Sequence, residues 1–210
     1  MNLVHTISPG KPELHTVTDS AGLSALAAPN CPAVIWSRPM SEVQTEWLDR
    51  LPPSQLPKWR EIVAVDAVAE AALDACAEAG TPDCPERAQL INEIQTLAEG
   101  FAALMQAPSL LLRLDVITSN ACKRFHIDAV SARLICTFRG TGTQLVSTES
   151  AGDPGAVLTL SRGSPILLKG TLWPDAPASG LLHRSPPIEG TGETRAVLVL
   201  DPVDDPEEAV

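Results

Sequence analysis

"CKRFHIDAVSARLICTFRGTGTQ", residues 122–144, carries three signals in one run: a His-x-Asp pair, an alternating apolar segment and a glycine-containing break. In "ARLICTF" the alternation places Leu134, Cys136 and Phe138 on one face and Arg133, Ile135, Thr137 and Arg139 on the other, the pattern of a strand between two unlike environments. The arginine-bearing face then needs an anion or solvent. The "RGTGT" that follows is too short and too far from a helix start to cradle a phosphate, and it reads as a hairpin turn. Just upstream, positions i and i+2 of a strand share a face, so His126 and Asp128 are expected to project together. Burying an imidazole and a carboxylate is costly unless something satisfies both, and a divalent metal ion does so at once.

Working outward, short β-like runs recur after Pro108: "LLLRLDVIT", "ARLICTF", "AVLTL", "PILLKG", "GLLH" and "RAVLVLD", separated by breakers such as "AGDPG", "SRGSP" and "PDAPASG". Strands this short and numerous, without intervening helices, predict a sandwich or barrel of jelly-roll size over residues 108–203, followed by an acidic tail at 204–210. Residues 1–107 read differently, as an irregular arm and helices packing on that β core. Within the arm "AVIW" is a possible strand. Ser41 and Gln44 have capping-box spacing, which starts a short helix that ends near Pro52. "REIVAVDAVAEAALDACAEAG" is Ala-rich, spaces its apolar residues at three and four, and stops at Gly80. "PERAQLINEIQTLAEGFAALMQAP" repeats the helical pattern, with Leu90, Ile91, Ile94, Leu97, Phe101 and Leu104 as its stripe. The predicted class is therefore α+β, with a mostly helical N-terminal half followed by a jelly roll.

Bulk composition bounds the partners. The 210 residues are 44% hydrophobic with a formal net charge of −11, so the chain is expected to be globular and to bind neither duplex nucleic acid nor anionic membrane. Between Pro108 and Leu200, however, nine Lys or Arg face seven Asp or Glu, a cationic module suited to a small anionic ligand. Five cysteines without a CxxC pair indicate neither a disulfide framework nor a zinc knuckle, and a reducing cytoplasm fits. The start has no signal-peptide pattern, and no apolar run approaches the roughly 20 residues of a membrane span. Cys122 reads as a buried thiol and Trp173, beside Pro174, as a packing residue.

A third metal ligand is expected from a strand distant in sequence but adjacent in space, and "LLHRSPP" offers His183, 57 residues after His126. Two histidines and one carboxylate form the facial triad of non-haem Fe(II) oxygenases. Arg184, the next residue, should face away from the ion because strand neighbours alternate. Twelve positions beyond His183, Arg195 opens the last predicted strand.

His126-x-Asp128, His183 and Arg195, in this order and spacing, resemble the Fe(II)- and 2-oxoglutarate-dependent dioxygenase superfamily over about residues 110–200. The resemblance implies a double-stranded β-helix in which His126, Asp128 and His183 are iron ligands at the catalytic centre. It also implies that Arg195 anchors the far carboxylate of 2-oxoglutarate, a role suited to the two-pronged guanidinium. The chain departs from that pattern at Val197, where Ser or Thr is common, and in having no tyrosine. The stretches "CKRFHIDAVSARLICTFRGTGTQ", "LLKGTLWP" and "LLHRSPPIEGTGETRAVLVLD" also resemble an uncharacterised bacterial family, domain of unknown function 1826. On this reading the protein hydroxylates a small-molecule or peptide substrate. One alternative is a cupin-like jelly roll holding Zn2+ or another divalent ion through the same three residues, as a hydrolase, isomerase or metal-homeostasis protein. Another is a binding module whose histidines are structural.

Overall fold

The computed structural model describes residues 3–5, 13–174 and 180–205; the expected tail from residue 206 onward and the core of the "PDAPASG" break lie outside them. The strands are β1 (Leu3–His5), β2 (Leu14–Val17), β3 (Ala33–Trp36), β4 (Trp59–Ala64), β5 (Ser109–Ile117), β6 (Ala132–Arg139), β7 (Gln144–Ser147), β8 (Leu158–Thr159), β9 (Ile166–Lys169), β10 (Leu181–Arg184) and β11 (Arg195–Val203). Three helices, α1 (Glu42–Arg50), α2 (Val68–Ala79) and α3 (Pro85–Met105), lie between β3 and β5.

Two sheets form. The larger has the order β1-β2-β3-β9-β6-β11-β5-β4, and the smaller is β10-β7-β8. Pairing is antiparallel throughout except for β2 with β3. The two faces of the large sheet have different partners, which is what the alternation in β6 requires. Leu134, Cys136 and Phe138 join Leu198 and Leu200 of β11 in the core shared with Leu90, Ile94, Leu97 and Phe101 of α3. On the opposite face Ile135, Val197 and Val199 pack against Leu145, Leu160 and Leu181 of the small sheet and its flanks. The layers are thus helices, large sheet, small sheet, with a cavity between the two sheets.

The mostly helical N-terminal half expected from sequence is not confirmed, because that half is mixed and contributes strands as well as helices. Its three α-helices have 9, 12 and 21 residues, less than half of the first 107, and four of its segments are strands of the large sheet. The clearest departure is "REIVAVDAVAEAALDACAEAG", whose first part is β4. Its backbone pairs along β5 from Trp59↔Leu114 to Ala64↔Ser109, and that ladder outweighs a helical spacing that holds only from Val68 onward. The helix ends agree with their signals. Ser41 Oγ accepts the Gln44 N–H at 3.2 Å, and Gly80 closes α2 at φ +66°.

"RGTGT" is not a hairpin turn, because β6 and β7 belong to different sheets. It carries the chain across the cavity, and its glycines serve close approach. A Cβ on Gly140, at φ +79°, would sit 2.8 Å from Arg195 Cγ, and one on Gly142 would overlap the Leu160 backbone. Among the described residues no helix is long and apolar enough to cross a membrane.

Candidate metal centre

Residues 121–130 are not a regular strand. His126 makes a single antiparallel bridge to His183 of β10, each residue donating its N–H to the other's carbonyl at 3.0 Å. Directly opposed residues of an antiparallel pair present their side chains on one side, so the bridge brings the imidazoles together, with ring centroids 4.5 Å apart. Asp128 then joins the same side two residues on. Its loop is clamped by the Thr171 N–H on Asp128 O (2.9 Å) and the Leu172 N–H on Val130 O (3.1 Å). The three side chains converge: His126 Nε2 lies 3.4 Å from Asp128 Oδ1 and His183 Nε2 lies 3.0 Å from Asp128 Oδ2. One ligand atom from each lies within 4.8 Å of the others.

Three features of the donor set suit a divalent ion. His126 Nδ1 lies 2.8 Å from the Arg124 carbonyl, a contact that orients the ring so that Nε2 faces Asp128. Asp128 Oδ2 is buried and, apart from the close approach of His183 Nε2, has no hydrogen-bond partner, which leaves lone-pair capacity of the kind an ion takes up. Burial alone would raise the Asp128 carboxyl pKa; the hydrogen bonding and positive field of His183, with the charges of Arg133 and His126, outweigh it and hold the group well below the usual carboxylate range. The residues therefore fit a two-histidine, one-carboxylate site that leaves coordination positions open.

Behind the cluster stands a charged support that the sequence did not reveal. Arg133 NH1 contacts Asp128 Oδ1 at 2.6 Å, while its Nε and NH2 grip both oxygens of Asp201 at 2.6 and 2.8 Å. The signal was present in part: Arg195, Val197, Val199 and Asp201 alternate along β11 just as Arg133, Ile135 and Thr137 do along β6. What was missing was which face lies inside. Arg139 leaves that face, because a register shift between Ala196 and Val197 adds a residue on β6. It bonds the Leu51 carbonyl at 2.6 Å on the helical side.

Arg195 is 1% exposed and lines the same cavity of about 120 Å³ as the three converging residues. Among the described residues it donates only to neutral oxygens: Thr141 O at 2.7 Å, Ser185 Oγ at 3.1 Å and Thr137 Oγ1 at 3.4 Å. Burial pulls its pKa down to about 10, so it stays cationic at neutral pH. Arg184 is held by Gln144 Oε1 at 2.8 Å and stacks on Phe125. Cys122 is exposed at the cavity wall, not buried, and stands outside the ligand cluster. Trp173 packs against the helical-side core.

Two apposed sheets enclose this cluster in a jelly-roll arrangement, a fold shared with solved dioxygenases. The dioxygenase for auxin oxidation 1 of Arabidopsis thaliana, solved with 2-oxoglutarate, superposes with a TM-score of 0.50 at 9% identity, over 91% of this chain and 92% of that one. The dioxygenase for auxin oxidation in rice gives 0.48 at 13% identity (90% and 78%), and a Pseudomonas putida prolyl-4-hydroxylase gives 0.41 at 13% (96% and 100%). No curated protein matches the sequence. Residues 17–201 match the family described as protein of unknown function, DUF1826, and the chain belongs to that family.

Proposed function

We propose that the protein is a cytoplasmic non-haem Fe(II)- and 2-oxoglutarate-dependent oxygenase that hydroxylates a small-molecule or peptide substrate. The observation that carries this reading is the under-satisfied Asp128 Oδ2 facing His126 and His183 in a cavity that also holds the anion-ready Arg195. His126, Asp128 and His183 would hold the metal, which when bound supplies oxygen activation coupled to oxidative decarboxylation of 2-oxoglutarate.

The chain's own contribution is placement. Arg195, fixed by Thr141, Ser185 and Thr137, offers its guanidinium to the distal carboxylate of 2-oxoglutarate in surroundings where a charge-assisted bond is strong. The hydroxyls of Ser185 and Thr137 occupy the surroundings of the arginine where related enzymes use a downstream Ser or Thr, which accommodates Val197. Arg133 fixes the Asp128 carboxylate from behind. Ile135, Val197 and Val199 line the cavity with apolar surface that keeps water from the reacting centre.

Succinate formation from 2-oxoglutarate with Fe(II), in uncoupled turnover, tests the reading. Turnover should be lost in His126→Ala and in Asp128→Ala, and 2-oxoglutarate binding should be lost in Arg195→Gln. Turnover indifferent to either ligand change sinks the proposal. Zinc in anaerobically purified protein that does not bind 2-oxoglutarate would move it to the cupin-like alternative.

A further inference from the structure

Arg113 has no role in the site just described, yet its environment asks for one. It lies on β5, opposite Val199 of β11 on one side and Arg60 of β4 on the other, so it faces the same cavity as Arg133 and Arg195. Its side chain is 17% exposed, and its Nε is buried without a hydrogen-bond partner. Among the described residues its one ion-pair contact is long: NH2 stands 3.4 Å from Asp201 Oδ2, an oxygen that Arg133 already takes at 2.8 Å. A buried guanidinium edge left unpaired costs stability unless something else fills it.

The charges around the cavity have distinct partners. Arg133 is matched by Asp128 and Asp201, Arg184 is held by Gln144, and Arg195 belongs to the cosubstrate on the reading above. Asp115 lines the cavity two residues from Arg113 and lends it a favourable field, while Arg60 and Arg133 add positive charge from either side. Burial and the nearby charge of Arg133 pull the Arg113 pKa down against the opposing fields of Asp201 and Asp115.

Arg113 and Arg195 mark different ends of the space. Arg113 pairs with Val199, four residues along β11 from Arg195, and at about 3.3 Å per residue this separates them by roughly 13 Å along the strand. One dicarboxylate anchored at Arg195 and chelating the ion does not need Arg113. The cavity wall also carries apolar side chains, Val197, Val199, Ile135 and Ile117, which belong to the core cluster shared with the small sheet.

We infer that the substrate of this site is an apolar carboxylic acid whose carboxylate is held by the free edge of Arg113. The inference rests on the oxygenase reading and supplies its substrate class. Apolar walls take the body of the acid, and the Arg113 guanidinium takes its acidic end by a charge-assisted contact.

The test uses the full chain loaded with Zn(II), as a redox-silent metal, and 2-oxoglutarate, titrated calorimetrically with phenylacetate and hexanoate and with the matching uncharged amides. The acids should bind at least about tenfold more tightly than their amides. Arg113→Gln should abolish that preference and Arg113→Lys should retain part of it, while 2-oxoglutarate affinity stays unchanged in both and falls in Arg195→Gln. Equal binding of acid and amide by the unaltered protein, or no binding of either acid, overturns the inference without recourse to any variant. So does a preference that survives in Arg113→Gln, or a 2-oxoglutarate affinity that falls with it. Failure of 2-oxoglutarate to bind, alongside an Arg113-dependent acid preference, sinks the oxygenase reading and leaves this anion site standing.

Discussion

At the scale of single residues, the converging cluster is backed by groups that carry charge from outside it. Arg133 joins Asp128 to Asp201 through side chains that are 16%, 13% and 9% exposed, where solvent screens little. Supports of this kind set ligand orientation, and Arg133→Met should lower Zn(II) affinity about 10–100-fold. Competition against a chelating dye measures it; an unchanged affinity would mean Asp128 is positioned by its loop alone. The convergence of His126, Asp128 and His183, and Arg195 as a candidate beside them, could be anticipated from the sequence because spacing and residue type survive without a fold. Arg113, Arg133 and Asp201 were not, since an arginine on a strand looks the same whether it faces water or a buried carboxylate.

At the scale of elements, a short irregular segment holds two of the proposed ligands where a strand was expected. The run 126–130 is fixed by one bridge to His183 and by the 170–172 backbone, so its geometry depends on those neighbours. Gly170 sits against it: a Cβ there would overlap Val130 O and lie 2.8 Å from Asp128 O, both rigid backbone atoms. Gly170→Ala should destabilise by about 1–3 kcal/mol and weaken metal binding. Gly100, inside α3 with nothing within 4 Å of an added Cβ, supplies the opposite sign: Gly100→Ala should stabilise by roughly 0.5–1 kcal/mol and leave the metal untouched. Chemical denaturation with parallel metal titration compares the two, and equal effects would mean that the 126–130 loop is not clamped as described. Elements with strong local signals, such as the Ser41-capped α1, the apolar stripe of α3 and the alternating β6 and β11, were legible. β4 was hidden because its pairing partner β5 lies some fifty residues away, whereas the helical spacing that followed was local.

At the scale of the whole molecule, the two sheets are joined across the cavity, and an ion bound by His126, Asp128 and His183 would tie the small-sheet side to the loop that follows β5. Binding to the folded state alone at a hundred times Kd contributes about 2.7 kcal/mol, which for a chain of this length raises Tm by roughly 5–10 °C. Differential scanning calorimetry with Zn(II) or Mn(II) and then with excess chelator should show that rise and its reversal, and His183→Ala should abolish it. A melting curve indifferent to both would favour structural histidines. The acidic whole with a cationic cavity follows from the same architecture: the carboxylates of the N-terminal half sit mostly on exposed helix faces, while Arg113 of β5, Arg133 of β6 and Arg195 of β11 face the cavity.

By itself the sequence determined the strands of the β region other than β7, the order His-x-Asp, His, Arg, and the chemistry those residue types permit, because periodicity, caps and spacing are properties of a chain read locally. Only the tertiary structure decided that β1 to β4 complete the large sheet, that "RGTGT" crosses between sheets, and that Arg133 and Arg113 face a cavity. Those outcomes depend on which strands pair and which face is covered, and pairing is a contest among distant segments for backbone hydrogen bonds and apolar contact that no local pattern encodes.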